Sequence, residues 1–210
     1  PDSFGRIKDI TYPSGNKVTY AYNNIGKINK VTATIGGQTK NVLTSITYKP
    51  FGPASNWTYG NGLAQVDTYD TDYRLDLRYI SGKQKLDYTF ESNTNNIESI
   101  INTYNSAYSQ TFGYDDTYRL TSVSSSADNQ SWSYDGVGNR ETNTDNGVNY
   151  TYALNLGSNQ LNKVTKSGST RAFTTDDNGN ITQDTGRGNL YSYNSSNQLT
   201  SSLNNGLKTV

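Results

Sequence analysis

Short runs in which apolar and polar residues alternate recur along this chain, separated by clusters of Gly, Asn, Asp and Ser. Val18, Tyr20 and Tyr22 fall on one side of such a run, with Lys17, Thr19 and Ala21 on the other. Leu86, Tyr88 and Phe90 repeat the pattern against Asp87 and Thr89, as do Trp132 and Tyr134, Val148, Tyr150 and Tyr152, and Tyr191 and Tyr193. A period of two is the signature of a strand with unlike faces, and Tyr, Thr and Val suit strands. After each run an aliphatic residue is followed three positions later by another: Ile7/Ile10, Ile28/Val31, Ile97/Ile100, Leu120/Val123 and Leu161/Val164. A flat strand would put these on opposite faces. A bulge or twisted strand entry brings them to one face; a helix would also do so, but the flanking Gly, Asn, Ser and Thr argue against helix.

The runs are joined by a phrase that returns. Tyr69-Asp70-Thr71-Asp72-Tyr73-Arg74-Leu75, Tyr114-Asp115-Asp116-Thr117-Tyr118-Arg119-Leu120 and Tyr134-Asp135-Gly136-Val137-Gly138-Asn139-Arg140 share one frame. Tyr22 to Ile28, with Gly26 in the Gly slot, and Tyr193 to Leu199 share it too. The frame is an aromatic, Asp or Asn, two free positions, usually Gly, a polar residue and an aliphatic. Weaker copies lie at Asp2 to Ile7, Tyr48 to Gly52, Phe90 to Ile97, the segment ending at Leu161, and Asp176 to Ile181, which keeps Gly179 but has Thr175 in the Tyr slot. The closing aliphatics lie mostly 18 to 23 residues apart. This makes about ten copies of a unit of about 20 residues, the mark of a repeat architecture. Asp-x-x-Gly is type I turn chemistry: Asp hydrogen-bonds the backbone two residues on, and Gly accepts the positive φ that follows. Each repeat therefore reads as two short strands joined by this turn. Asn61-Gly62, Asn146-Gly147, Asn178-Gly179 and Asn205-Gly206 are hairpin dipeptides that include the second turn each repeat needs. The expectation is an all-β chain, a single array over 1–210 of tandem antiparallel hairpins forming a curved ribbon whose edges need cover.

Composition narrows the chemistry. With 18 Lys and Arg against 18 Asp and Glu the formal charge is zero, so there is no electrostatic case for nucleic acid or an anionic membrane. Leu, Ile, Val and Phe make up only about 18%, but neutrality, 18 Tyr and the strict period speak for a folded chain. Tyr is then the main core-forming aromatic, and its hydroxyl needs water or a partner, which suits a sheet lining a polar space. There is no Cys, Met or His, which removes disulfides, thiol chemistry and His-based catalysis from this segment. A chain without Met that begins in mid-repeat reads as a fragment or processed piece, and no apolar run approaches membrane-spanning length. High Asn, Ser, Thr and Tyr without Cys fits a bacterial exported surface.

Three candidate sites have plainer readings. Asp115-Asp116 and Asp70/Asp72 resemble paired carboxylates, yet each sits where the turn needs Asp. Asp176-Asp177-Asn178-Gly179-Asn180 resembles a calcium loop without the spacing or distant Glu of an EF-hand, so a turn is favoured. Trp57, Tyr59 and Trp132 could stack sugars, but sheet aromatics more often pack between repeats.

On these phrases the chain resembles the YD-repeat, or Rhs-repeat, family, whose hallmark is Tyr-Asp-x-x-Gly-Arg/Asn-Leu at this period. Tyr59-Gly60-Asn61-Gly62-Leu63 followed by Tyr69-Asp70 is similar to the way bacterial Rhs proteins continue. Departures are Tyr73 and Tyr118 in the Gly slot, Thr175 in the Tyr slot and Arg140 in the aliphatic slot. Members include bacterial polymorphic toxins, the C component of insecticidal toxin complexes, wall-associated proteins and teneurins. The resemblance implies a ribbon that spirals into a hollow shell, and in the toxins a shell around a toxic C-terminal polypeptide. Its implied partners are the rest of that shell, the enclosed effector and a delivery component. A secreted or cell-surface location follows, with no cofactor. An adhesion module binding carbohydrate is the alternative. The family's self-cleaving segment, with catalytic Asp residues near a Pro-rich motif, has no match here, so no catalytic residue carries over and a non-enzymatic role is expected.

Overall fold

The structure is a computed structural model that describes residues 1–204 and 207–209. Contacts divide the chain into two units, 1–110 and 111–210. Among the described residues there is no α-helix, only a single 3₁₀ turn at Ser106–Tyr108.

The first unit contains β1 (Asp9–Thr11), β2 (Lys17–Tyr22), β3 (Ile28–Ile35), β4 (Gln38–Tyr48), β5 (Ala54–Tyr59), β6 (Ala64–Tyr69), β7 (Leu75–Ile80), β8 (Gln84–Phe90) and β9 (Ile97–Asn102). The second contains β10 (Gln110–Tyr114), β11 (Leu120–Ser124), β12 (Asn129–Tyr134), β13 (Arg140–Asp145), β14 (Val148–Leu154), β15 (Leu161–Lys166), β16 (Ser169–Thr175), β17 (Ile181–Asp184), β18 (Asn189–Tyr193), β19 (Leu199–Asn204) and β20 (Leu207–Thr209). Within each unit every strand pairs antiparallel with its neighbours in sequence. The all-β hairpin reading of the sequence is what the chain forms.

The spacing of three is explained by a bulge at the entry of each second strand. Tyr22 faces Ile28 and Ala21 faces Lys30, so Asn29 is the extra residue and Ile28 and Val31 share a face with Tyr22 and Tyr20. The same slip follows Phe90/Ile97, Tyr114/Leu120, Tyr134/Arg140, Leu154/Leu161, Thr175/Ile181 and Tyr193/Leu199. One extra residue per hairpin thus gathers the aromatic, the closing aliphatic and its follower onto one face.

The two kinds of loop alternate. The Asp phrases form type I turns closed at the fourth and fifth residues; Gly138 N donates to Asp135 O at 3.1 Å and Asp135 N to Asn139 O at 2.9 Å. Gly26, Gly138 and Gly179 take the positive φ that ends such a turn. Tyr73 and Tyr118 occupy that slot at φ 62° and 63°, and Phe51, one position earlier in its own turn, has φ 53°, so the fold holds three bulky residues in the left-handed region. At the other end, Asn146-Gly147 makes a two-residue turn with both φ positive, 47° and 82°. Asn61-Gly62 lies in the second turn between β5 and β6, but only Gly62 of the pair has positive φ and the loop closes as the Asp turns do, Gly62 N donating to Tyr59 O at 2.9 Å and Tyr59 N to Leu63 O at 2.8 Å. Asn178-Gly179 corrects the dipeptide reading: it lies inside the Asp176 turn, where Gly179 N donates to Asp176 O, because the Asp side chain organises that loop first. Asn205-Gly206 lies outside the described residues.

A single layer of sheet buries little. Ile46 is the one buried apolar residue among those described, in a stretch of β4 whose register slips between Thr44 and Thr47 around Ser45 at φ 55°. The other buried side chains are polar: Ser55, Gln65, Asp67 and Asp184.

Candidate functional site

The repeated phrase is the candidate site, because its Asp or Asn, its Tyr and the polar residue before the closing aliphatic each touch a named group. The Asp carboxylate caps its own turn. Asp70 Oδ1 accepts from the backbone N–H of Asp72 and of Arg74, both at 2.9 Å, while Oδ2 accepts from Arg74 Nε at 2.7 Å. Asp2, Asp115, Asp135 and Asp176 repeat this with Arg6, Arg119, Asn139 and Asn180. Asn23 and Asn194 supply the same Oδ1 contacts. These bonds hold the carboxyls of Asp115, Asp135 and Asp176 below the usual range, through the Arg119 backbone N–H, the Asn139 amide and the Asn180 amide respectively. For Asp70, desolvation pulls the other way, and the Arg74 contacts outweigh it. A carboxylate kept charged, with most of its lone pairs occupied, is a turn fastener and a poor proton shuttle. At Asp176 three of the four are spent on its own turn, two on Oδ1 and one on Oδ2.

The Tyr hydroxyl explains why the phrase opens on Tyr. Tyr22 donates to the carbonyl of Ile7 at 2.6 Å, Tyr48 to Ile28 at 2.7 Å, Tyr69 to Ala54 at 2.9 Å, Tyr134 to Leu120 at 2.8 Å and Tyr193 to Ile181 at 3.0 Å. Ile28, Ala54, Leu120 and Ile181 each open the second strand of the preceding repeat, beside its bulge, while Ile7 lies two residues before β1. Where Thr175 replaces Tyr, its hydroxyl reaches Gln160 of the preceding turn at 3.2 Å.

The polar residue before the closing aliphatic reaches the other way. The Arg6 guanidinium lies 4.1 Å from the Tyr22 ring centre, Lys27 Nζ 4.7 Å from Tyr48, Arg74 4.4 Å from Phe90 and Arg119 5.0 Å from Tyr134. Arg119 Nη1 also donates to Asp135 O at 2.8 Å, and Arg74 Nη1 to Thr94 O at 3.1 Å. Asn139 and Asn180 reach Asn159 and Asn197 of the next turn, each at 3.0 Å. Arg140, in the aliphatic slot, lies 5.5 Å from the Tyr152 ring centre. Leu75 and Leu120 are half-buried, whereas Leu199 is exposed.

Two ion pairs were not legible as sites. Arg78 takes the slot three after Leu75, where sister repeats place Val31, Ile100 or Val123, and grips Asp67 through Nε at 3.2 Å and Nη2 at 2.8 Å. Asp67 is 2% exposed and also accepts from Gln65 Nε2 at 2.9 Å. Asp184 takes the corresponding slot after Ile181 and binds Arg171 through both oxygens, Nε at 2.7 Å. The pairing raises Arg78 and Arg171 and, with Arg171 beside it, lowers Asp184. A charged residue breaking an apolar slot is the signal that could have found both pairs.

Of the candidate sugar platform, Trp57 and Tyr59 meet edge to face at 6.2 Å and 76°. Trp57 also lines a concavity of about 270 Å³ with Ile28, Val31, Leu43, Ile46, Tyr48 and Ala54. Trp132 stands opposite Asn143 in the second unit.

No protein-family model matches the sequence, and comparison with curated proteins gives no match. Solved structures do match. A chain of the Photorhabdus luminescens Tc holotoxin pore carrying a TccC3 variant superposes with a TM-score of 0.64 at 19% identity over 96% of this chain. This chain has the fold of the part of that toxin-complex component on which it superposes. Crystal structures of TcdB2-TccC3-TEV and of TcdB2-TccC3 without its hypervariable C-terminal region give TM-scores of 0.63 and 0.61, both at 18% identity, over 96% and 95% of this chain. The chain spans 12% of the length of each of these matched chains. The resemblance read from Tyr69-Asp70 and its sister phrases, which named toxin-complex components among its members, is met at the level of fold.

Proposed function

We propose that this chain is one continuous array of wall in a secreted bacterial toxin of the Rhs type, part of a shell that encloses a C-terminal effector polypeptide. The observation that carries this reading is the stitching of each repeat to the next. Backbone ladders run between sequence neighbours, a Tyr hydroxyl reaches back, and an Arg, Lys or Asn reaches forward. Such a sheet blocks passage sterically and needs no turnover, cofactor or metal. Its exposed Thr, Ser, Asn and Tyr groups can solvate a guest without packing it into a core. The likeness to toxin-complex chains supports the same reading. The partners are then the remainder of the wall, the effector and a delivery component. Electron microscopy of the protein as its producing cell makes it tests the idea: a closed wall around a lumen is expected, and a solid body without a lumen would end it.

A second reading is supported by the Trp57–Tyr59 pair beside the concavity: a cell-surface adhesion module that binds carbohydrate. Glycan-array binding lost on Trp57→Ala or Trp132→Ala would carry it, and a flat array would dismiss it.

A further inference from the structure

Between β3 and β4 the ladder parts. Their pairing runs from Ile35 and Gln38 only as far as Val31 and Leu43, although β3 begins at Ile28 and β4 continues to Tyr48. On its other side β4 sets Ser45 and Ile46 against Trp57 alone, a bulge in which Ser45 takes φ 55°. The parting leaves a hollow of about 620 Å³ on the face that carries Ala21 and Lys30, away from Tyr20 and Tyr22. Small-molecule sites range over roughly 300–1,000 Å³. Two unfavourable features meet at this hollow. Ser45 is the one residue within a strand, among those described, whose φ is positive. Asn29, which lines the same hollow, has a side-chain carbonyl that is buried and accepts from no group of the chain. The hairpins elsewhere form without either, and strain with unmet polar groups gathers at binding sites.

The lining sorts the ligand. No carboxylate lines the hollow, and Lys30, which does, makes no ion pair within the described chain. The hydroxyls of Thr44 and Ser45 have no hydrogen-bond partner there either. Asn23 accepts with Oδ1 from the N–H groups of Ile25 and Lys27, at 3.1 and 2.9 Å, which leaves its Nδ2 to donate. The polar groups are thus chiefly donors and hydroxyls, with a single positive charge among them. Ala21 and Ile46 add an apolar patch. One carboxylate answers Lys30, several hydroxyls answer Asn23, Thr44 and Ser45, and a C–H face answers Ala21 and Ile46. A sugar acid carries all three. A neutral sugar would leave Lys30 without its counter-charge, and a simple short-chain carboxylate would leave the hydroxyls unused.

We propose that this hollow binds a sugar acid, with the carboxylate at Lys30, hydroxyls at Asn23, Thr44 and Ser45, and the ring over Ala21 and Ile46. The left-handed turn of the backbone at Ser45 is what opens the strand and sets a hydroxyl in the parting. The hollow lies on the face opposite the one that Trp57 shares with Tyr48. The proposal therefore goes beyond both readings above, and its failure would leave each of them standing.

Saturation-transfer NMR of the 210-residue chain with sodium glucuronate tests it, with glucose and propionate as controls. Saturation of glucuronate alone is expected, and it should weaken as salt rises. Lys30 is exposed, so Lys30→Gln should keep the circular dichroism of the parent and bind glucuronate about tenfold more weakly, the loss of one charged hydrogen bond. Ser45→Gly separates the site from the scaffold. Gly takes φ 55° without strain, so this variant should melt at a higher temperature than the parent, yet bind glucuronate more weakly for want of the hydroxyl. Absence of saturation with glucuronate, equal saturation of glucose or propionate, or binding undiminished in Lys30→Gln or in Ser45→Gly would overturn the proposal.

Discussion

The hydroxyl of Tyr134 donates to the carbonyl oxygen of Leu120 at 2.8 Å, while the Arg119 guanidinium lies 5.0 Å from the centre of the same ring. One aromatic residue is thus held by its predecessor at both ends, the oxygen by backbone and the ring by charge. Replacing it with Phe separates the two, because Phe90 shows that a ring without a hydroxyl still receives its Arg at 4.4 Å. Tyr134→Phe is expected to cost about 1 kcal/mol, the worth of one partly buried hydrogen bond. Urea unfolding measures it, with an unchanged slope expected.

The fourth position of the turn gives a pair of opposed substitutions. Gly138 sits at φ 94°, so Gly138→Ala should destabilise by about 1 kcal/mol. Tyr118 is exposed and sits at φ 63°, so Tyr118→Gly should relieve strain and raise stability by up to about 1 kcal/mol. Tyr73→Gly should not gain in the same way, because Tyr73 donates to Pro50 O at 2.6 Å and its ring fills the space beside Gly52. Thermal melts of the three variants, ranked, check the argument.

Asp67 and Arg78 form a pair in a slot that sister repeats fill with apolar residues. Asp67→Ala leaves the guanidinium without its partner and is expected to cost about 3 kcal/mol, at the low end for buried pairs because Arg78 keeps more than a third of its surface in water. Replacing both by Leu should recover most of that loss. Equal destabilisation in the single and double variants would show that the pair is needed for its geometry.

Acid should unfold the chain through its turns and through the Asp184–Arg171 pair. The carboxyls of Asp2, Asp115, Asp135, Asp176 and Asp184 have folded-state values below their unfolded ones. For such groups the stabilisation is complete above the unfolded value and drains away as pH falls through the folded value. With no His to titrate, the melting temperature should be flat from about pH 5 to 8 and fall below about pH 4. Asp115→Asn should make the acid limb shallower, since Asn23 and Asn194 already cap turns of this kind.

Much of this was legible because the repeat states it many times. Alternation around Tyr20 and Tyr22 gave the strands, and the Ile28/Val31 spacing gave the bulge, since few backbone devices put residues three apart on one face. What the Tyr hydroxyls and the Arg74 or Asn139 side chains touch was hidden, because their partners lie in another repeat and depend on how hairpins stack. Asn178-Gly179 misled for a local reason: the dipeptide signal is strong, but Asp176 reached the same backbone first. Asp67 and Asp184 looked like ordinary sheet polars until their slots were known.

A wall of the proposed kind must separate a polypeptide from its surroundings. The direct measurement is protease digestion of the natively purified protein, followed by mass spectrometry under native and then denaturing conditions. The claim predicts a C-terminal polypeptide that survives the protease intact, stays with the wall in the native spectrum and is released only on denaturation. A C-terminal region digested at the rate of an unfolded control, with the repeats still folded, would contradict it.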